Sequence, residues 1–183
     1  EIRREAIMAI GEMGEAAAGA VSLLALALDE DSLRSAAVYS LGNLGPVAQG
    51  AKPNLRSLLE GDDPFVRTIS AWALIRIAPG DPGLIREASL VLANSLKSDN
   101  ERVREAAAHS LAKLDLDSEI MASVMETALK DADEATVTAA VDTLARLGEA
   151  GVPKLVEALR YESSRAKAIR ILRKMGPQAL PAL

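Results

Sequence analysis

The chain repeats one short pattern six times, and this repetition restricts its fold more than any other feature of the sequence. The pattern opens with an apolar residue, usually followed by Arg, continues with small and apolar residues at helical spacing, and usually closes on Gly. The copies begin at Ile2, Leu33, Val66, Val103, Thr136 and Ser164. Their starts are 31, 33, 37, 33 and 28 residues apart, which is the period of a helix–turn–helix repeat.

Each copy predicts an amphipathic α-helix. When the first residue of a copy is numbered as position 0, positions 0, 4, 7, 8 and 11 are mostly apolar or small, and they fall on one side of a helix. The Gly at position 12 can adopt a positive φ and end the helix. A second apolar stripe lies between successive copies and predicts a partner helix for each; between the first two copies it consists of Ala20, Leu23, Leu24, Ala27 and Leu28.

These helices predict an all-α fold, a single repeat array over residues 1–183. We expect five complete helix pairs, at about 17–45, 47–78, 82–115, 118–148 and 150–176, with a lone helix at 1–14 and a partial helix at 177–183. Neither terminal helix has the polar outer face that the end of a solenoid needs. The sequence therefore predicts either a fragment of a longer chain or end-to-end self-association through the uncapped terminal helices.

Composition excludes several kinds of site. The chain has no Cys and a single His, His109, which excludes Cys-based zinc sites and metal centres that need two imidazoles. The acidic triplets in the turns lack the Gly and the distal Glu of a calcium loop, so we interpret them as helix caps. We expect no metal and no cofactor. No uncharged stretch reaches the ~18–20 residues of a membrane helix, and no signal peptide is visible, so the cytoplasm is favoured although the compartment stays undefined.

The pattern resembles a known family. Residues 33–45 and 103–114 resemble the second helix of a HEAT repeat, in the bacterial variant also found in phycobilin lyases, and residues 51–55 resemble the Pro-containing opening of the first helix. The resemblance covers essentially the whole chain and implies an armadillo-like, right-handed α-solenoid (α-α superhelix) of HEAT-like pairs. It also implies that the Arg at position 1 bonds an acidic residue of an adjacent turn. Here that pairs Arg34, Arg67, Arg104 and Arg165 with acids such as Asp29, Asp62 and Asp99.

HEAT geometry further implies that the second helices line a concave groove, and positions 2, 6 and 10 of these helices face away from the core stripe. Position 6 places Tyr39, Trp72, His109 and Asp142 in four successive copies, and position 10 places Arg76, Lys113 and Arg146 beside the last three. Exposed aromatic and Arg side chains are typical of interface hot spots. We therefore predict that these seven residues bind a partner and that none is catalytic. On this hypothesis Trp72→Ala leaves the fold intact; the alternative is that Trp72 folds back onto a neighbouring repeat.

The predicted function is a non-enzymatic protein–protein interaction scaffold that binds a peptide or helix in the groove. Two alternatives stay open: a phycobilin lyase-like enzyme subunit, because of the repeat type, and a nucleic-acid-binding HEAT-like protein. The net charge of −5 disfavours nucleic acid. Residues 154–183 carry seven basic and two acidic residues, so the rest of the chain has a net charge of −10. The basic face at residues 165–174 fits either an anionic surface or an ordinary solvated helix face.

Overall fold

The fold was analysed in a computed structural model, which describes residues 1–114, 128–129 and 134–176. The predicted partial helix at 177–183 and most of the first helix of the predicted pair at 118–148 lie outside these residues. Within the described ranges the chain forms helices and turns and contains no β-strand, which confirms the predicted all-α class. The chain divides into two compact units, Glu1–Val91 and Leu92–Leu183.

The first unit alternates short and long helices. Its helices are α1 (Ile2–Glu12), α2 (Val21–Ala27), α3 (Asp31–Leu44), α4 (Lys52–Ser57), α5 (Pro64–Ile77) and the first part of α6 (Pro82–Ser95). The long helices α1, α3 and α5 are the predicted second helices, and each packs against the next one. The short helix α2 packs on α3, and α4 packs on α5, as the predicted helix pairs require.

The second unit follows the same order in its described part. It contains the end of α6, then α7 (Glu101–Lys113), α8 (Glu134–Arg146), α9 (Val152–Ala158) and α10 (Glu162–Met175). The predicted second helices α7, α8 and α10 pack in sequence, α7 against α8 and α8 against α10. The short helix α9 packs against both α8 and α10.

Glycine separates the helices of successive repeats. Gly14, Gly45, Gly148 and Gly176 have φ values of 58° to 64°, in the left-handed region that ordinary residues avoid. The predicted helix-ending role of these four residues is thereby confirmed. Three of them start 3-10 segments (Gly14–Ala20, Gly45–Ala51 and Gly148–Gly151) that lead into α2, α4 and α9. These first helices are therefore shorter as α-helices than the sequence predicted.

The core follows the predicted stripe. Leu41 and Leu74, both at position 8, are completely buried, and Leu33 and Leu44 are nearly so. On α1 the equivalent side is uncovered in the described part of the chain, and Ile2 is 81% and Met13 57% exposed. The opposite side of α1 packs on α3.

The hydrogen-bond partners of the Arg at position 1 differ from those predicted. Arg34, Arg67, Arg104 and Arg165 each donate a hydrogen bond to the backbone carbonyl six residues earlier, on Leu28, Gly61, Ser98 and Leu159. The predicted partners, the carboxylates of Asp29, Asp62 and Asp99, are therefore wrong. The physical reason is that the last carbonyls of a helix have no partner within the helix, so a guanidinium satisfies them within its own repeat.

Contacts between repeats are made by other side chains. In the first unit Arg3 forms a bidentate pair with Glu30, with N–O distances of 2.8 and 2.6 Å, and Lys52 pairs with Asp81 at 2.6 Å. The hydrogen bond from Arg3 lowers the pKa of the Glu30 carboxyl. In the second unit Lys167 pairs with Glu134 at 3.1 Å. Exposed ion pairs of this kind contribute only about 0–1 kcal/mol each.

Candidate partner-binding surface

An aromatic cluster in the first unit brings together three of the seven predicted site residues. The ring of Tyr39 on α3 lies 5.6 Å from the ring of Trp72 on α5, measured between centroids, and the two planes are inclined by 54°. Arg76 follows Trp72 by one turn of α5, and its guanidinium carbon lies 5.8 Å from the Trp72 ring centroid. This cluster combines two aromatic rings with one cation at the boundary between two repeats.

Trp72 is not exposed, contrary to the prediction. Only 6% of this residue is accessible to solvent, so the alternative that the ring folds back onto a neighbouring repeat describes the structure. The ring lies against Gly42 of α3. A Cβ atom at residue 42 would meet ring atom Cζ3 and would come within 2.9 Å of both Cε3 and Cη2. The missing side chain of Gly42 therefore provides the space that buries Trp72.

A second glycine allows a similar close approach one repeat earlier. A Cβ atom at Gly11 of α1 would lie 2.7 Å from the Cα atom of Ser40 on α3. The Ser40 hydroxyl is buried and donates a hydrogen bond of 2.7 Å to the carbonyl of Ile7. Gly11 and Gly42 both occupy position 9 of their copies. A glycine inside a helical pattern is a recognised sign of close backbone approach, and it is the signal that could have predicted both contacts.

Arg76 is held at two points and keeps an exposed end. Its Nε donates a hydrogen bond of 3.0 Å to the carbonyl of Gly42, which is one of the last four carbonyls of α3. The guanidinium also lies over the Trp72 ring, where cation–π attraction contributes about 0.5–1 kcal/mol at an exposed site. The residue is exposed, and no described carboxylate lies within ion-pairing distance of it. A guanidinium in this state can accept a carboxylate of a partner in bidentate fashion.

The second unit contains the other four predicted site residues. His109 on α7 is exposed, and its Nδ1 lies 3.5 Å from Nη1 of Arg146 on α8. Burial lowers the pKa of His109, and the positive charges of Lys113 and Arg146 lower it further. Asp142 is also exposed and precedes Arg146 by one turn of α8. The structure thus brings His109 close to the cations Lys113 and Arg146. The carboxylate of Asp142 lies on the same helix as Arg146.

Exposure along the second helices depends on the position in the repeat. All six residues at position 10 are exposed: Glu12, Asn43, Arg76, Lys113, Arg146 and Lys174. Position 6 is mixed, since Tyr39 is half-buried and Trp72 buried, whereas His109 and Asp142 are exposed. Position 2 was expected on the same exposed side, but Thr68 is fully buried and donates to the carbonyl of Pro64. The accessible surface is therefore centred on position 10.

One open pocket of about 380 Å³ lies elsewhere in the first unit. It is lined by residues 46, 49, 52 and 77–82. Its charged residues, Lys52 and Asp81, pair with each other, and Asp81 also accepts a hydrogen bond from the backbone N–H of Leu84. These two bonds lower the pKa of Asp81, in that order of size. The lining of the pocket contains neither a His nor a Ser.

The described residues contain neither a cluster of metal ligands nor a membrane-spanning helix. Nowhere in those ranges do three or more His, Asp or Glu side chains gather where they could hold a metal ion. None of the helices described above has the length and apolarity needed to cross a membrane.

Comparison with known proteins identifies the repeat. A family model of HEAT repeats matches residues 1–75, 22–112 and 89–173. No curated protein gave a significant match to the chain. The three matched ranges together extend from residue 1 to residue 173 and agree with the paired helices and the repeated pattern. This chain therefore belongs to the HEAT-repeat family, and its fold is an all-α solenoid of HEAT repeats.

Proposed function

We propose that this chain is a non-enzymatic scaffold that binds a partner peptide or helix along the exposed side of its second helices. HEAT repeats generally mediate protein–protein interaction, which supports a protein-binding role for this chain. The observation that carries the proposal is the cluster of Tyr39, Trp72 and Arg76, in which a buried ring supports a cation that faces solvent. The corrected role of Trp72 is to support this surface rather than to touch the partner with an exposed ring.

The cluster has the properties of an interface hot spot. Tyr and Arg are among the residue types that dominate binding energy, and Arg76 is already immobilised by its bond to Gly42 and its contact with Trp72. Because the side chain is ordered before binding, less conformational entropy is lost when a partner docks. The neighbouring Asn43 is exposed and can exchange hydrogen bonds with a peptide backbone.

The proposal extends to all seven predicted residues. We infer that Tyr39, Trp72 and Arg76 form a partner-binding surface on the first unit, and that His109, Lys113, Asp142 and Arg146 form one on the second. The support for this extension is the repeat itself, because equivalent positions of successive second helices recur in the sequence. Acidic groups of the partner are favoured near the three cations.

The test is a peptide selection with matched variants. A random peptide library is selected on the full chain, and the affinities of the selected peptides are measured for Tyr39→Ala, for Arg76→Ala and for a control, Arg86→Ala, which alters an exposed residue of α6. We expect the first two substitutions to weaken binding at least about tenfold and the control to have no effect. Circular dichroism establishes that each variant is folded. Peptides that bind all the variants equally would contradict the proposed surface.

The enzymatic alternative has its own test. If the chain acts as a lyase-type subunit, mixing the purified protein with a bilin gives covalent transfer or tight, coloured binding. We expect neither, because His109, the single His of the chain, has Arg146 rather than a nucleophile beside its Nδ1. Coloured protein after denaturing electrophoresis would replace the scaffold proposal with the lyase.

The exposed apolar side of α1 supports a proposal of self-association. Ile2 and Met13 occupy positions that are buried in the following copies, and a second copy of the chain is the proposed cover. Light scattering at increasing concentration should show association of the wild type and a monomeric Met13→Glu variant. A wild type that is monomeric at its solubility limit rules this contact out.

A further inference from the structure

Each of the three described second helices of the second unit carries an exposed cation at position 10. These cations are Lys113 on α7, Arg146 on α8 and Lys174 on α10, all at position 10 of their copies. Because α7 packs on α8 and α8 on α10, the three residues come from adjacent helices. We call Lys113, Arg146 and Lys174 the basic row.

The three cations of the basic row form no ion pair with the described residues. No described carboxylate lies within ion-pairing distance of any of its three members, whereas Lys154 and Lys167 of the same unit pair with Glu157 and Glu134. Arg160, Arg170 and Arg173 also lack an ion pair with a described carboxylate, but among these cations only those of the row repeat one position on three successively packed second helices. Unneutralised cations that recur at one repeat position are complementary to a regularly spaced anionic ligand.

His109 lies beside two cations of the row. Its ring nitrogen lies 3.5 Å from the Arg146 guanidinium, and Lys113 follows it by one turn on α7. Asp142 lies on α8, one turn before Arg146. It is exposed and forms no ion pair with a described cation. The two cations Lys113 and Arg146, together with burial, lower the pKa of His109. A bound carboxylate would offset this repulsion and favour the protonated ring.

We propose that the basic row binds an extended acidic peptide segment with an Asp or Glu at every third residue. This inference rests on the proposed function and specifies the chemistry of the partner. Packed helices are about 8–10 Å apart. A peptide in the polyproline II conformation advances ~3.1 Å per residue and completes a turn in three residues, so its equivalent side chains are about 9 Å apart. Such a peptide presents one carboxylate to each cation of the row.

Charge density favours a peptide over nucleic acid. Each strand of a duplex carries one phosphate per ~3.4 Å of helix axis, so cations spaced by one helix diameter would face only about one phosphate in three. Asp142 is exposed on α8 beside the row, and the net charge of the chain is −5; both repel a dense polyanion more than a sparse one. The row therefore fits an acidic peptide better than a phosphate backbone.

The test uses three labelled peptides of equal length and the full chain. The first has Glu at every third position among Pro and Ala, the second has the same composition with the Glu residues clustered, and the third has Gln in place of Glu. Fluorescence anisotropy should show that the spaced Glu peptide binds at least about tenfold more tightly than the Gln peptide and more tightly than the clustered one. Its affinity should fall as salt is raised.

Matched variants locate the binding surface. Arg146→Gln and Lys113→Gln should each weaken binding of the spaced peptide several-fold, whereas Arg160→Gln, an exposed cation outside the row, should not. His109 is the only His of the chain, so its ring proton resonance reports its pKa without ambiguity. Saturation with the spaced peptide should raise this pKa.

Each outcome supports or overturns the inference. Equal binding of the Glu and Gln peptides, equal loss in Arg160→Gln, or an unchanged pKa of His109 overturns it. A single-stranded oligonucleotide that binds through Arg146 more tightly than the spaced peptide overturns it in favour of nucleic acid. If library peptides still depend on Tyr39 and Arg76 while the acidic peptides fail, the proposed function survives and only the partner chemistry is wrong.

Discussion

The burial of Trp72 against Gly42 predicts that substitutions at these two residues are strongly coupled. Gly42 lies inside α3, where Ala is intrinsically more stable than Gly by about 0.5–1 kcal/mol. In the wild type, however, the added methyl carbon would overlap the Cζ3 atom of Trp72. It would also lie 2.9 Å from two further atoms of the ring. Gly42→Ala should therefore destabilise the wild type but stabilise a variant from which the ring has been removed.

The magnitudes follow from the geometry. A Trp side chain buries about 150–250 Å², which at ~25 cal/mol per Å² corresponds to roughly 4–6 kcal/mol, and measured Trp→Ala losses are about 3–5 kcal/mol. Trp72→Ala should therefore lower the free energy of unfolding by about 3–5 kcal/mol. Overpacking costs typically about 1–3 kcal/mol, so Gly42→Ala should destabilise the wild type by that amount. In the Trp72→Ala background it should stabilise by about 0.5–1 kcal/mol.

The assay is a double-mutant cycle measured by urea unfolding. Far-ultraviolet circular dichroism is the appropriate probe, because Trp72 is the only Trp and its substitution removes the fluorescence signal. Gly50→Ala serves as the control, since no atom lies within 4 Å of a Cβ built at that residue. If Gly42→Ala has the same effect with and without Trp72, the two residues do not interact as described. If Trp72→Ala changes stability by less than about 1 kcal/mol, the ring is not part of the core.

Three further predictions follow from single contacts. Gly11→Ala should lower the unfolding midpoint in urea, because its Cβ would press on the backbone of the next second helix, whereas Gly19→Ala should not. Arg104→Lys should lower the free energy of unfolding by about 1 kcal/mol in the same assay, since a lysine cannot reproduce the two hydrogen bonds that the guanidinium donates to backbone carbonyls; an unchanged midpoint would contradict this role. Because the pKa of His109 is lowered in the folded state, its contribution to stability is present above about pH 6.5 and is lost as the pH falls below that value. Thermal unfolding at about pH 7.5 and 5.5 should show a smaller pH effect in His109→Gln than in the wild type.

The sequence predicted the helices and the repeat well because both depend on local rules. The apolar residues at positions 0, 4, 7, 8 and 11 specify one buried side, and the Gly at position 12 ends the helix by adopting a positive φ. The exposure of position 10 follows from the same helical geometry, since that position lies outside the buried stripe. For Arg76, Lys113 and Arg146 the helical wheel was therefore a sufficient guide to exposure.

The errors share one physical cause, which is that a helical wheel describes one helix and not its neighbour. Trp72 lies outside the stripe of its own helix, but the neighbouring helix lacks a side chain at Gly42, and the ring occupies that space. Thr68 is buried at a position that the wheel placed on the exposed side. Arg34 was expected to bond the carboxylate of Asp29, but its guanidinium donates to the carbonyl of Leu28 and pairs with Asp31 of its own helix.

The amino-acid sequence alone determined that this chain forms paired helices in register, because the repeat length, the apolar stripe and the helix-ending glycines act over one or two helices. The tertiary structure decided which of the outward residues are available to a partner. That outcome depends on the gap between neighbouring helices, where a glycine admits a ring and a carbonyl captures a guanidinium. The residue pattern of a single helix does not predict the size of the gap to its neighbour.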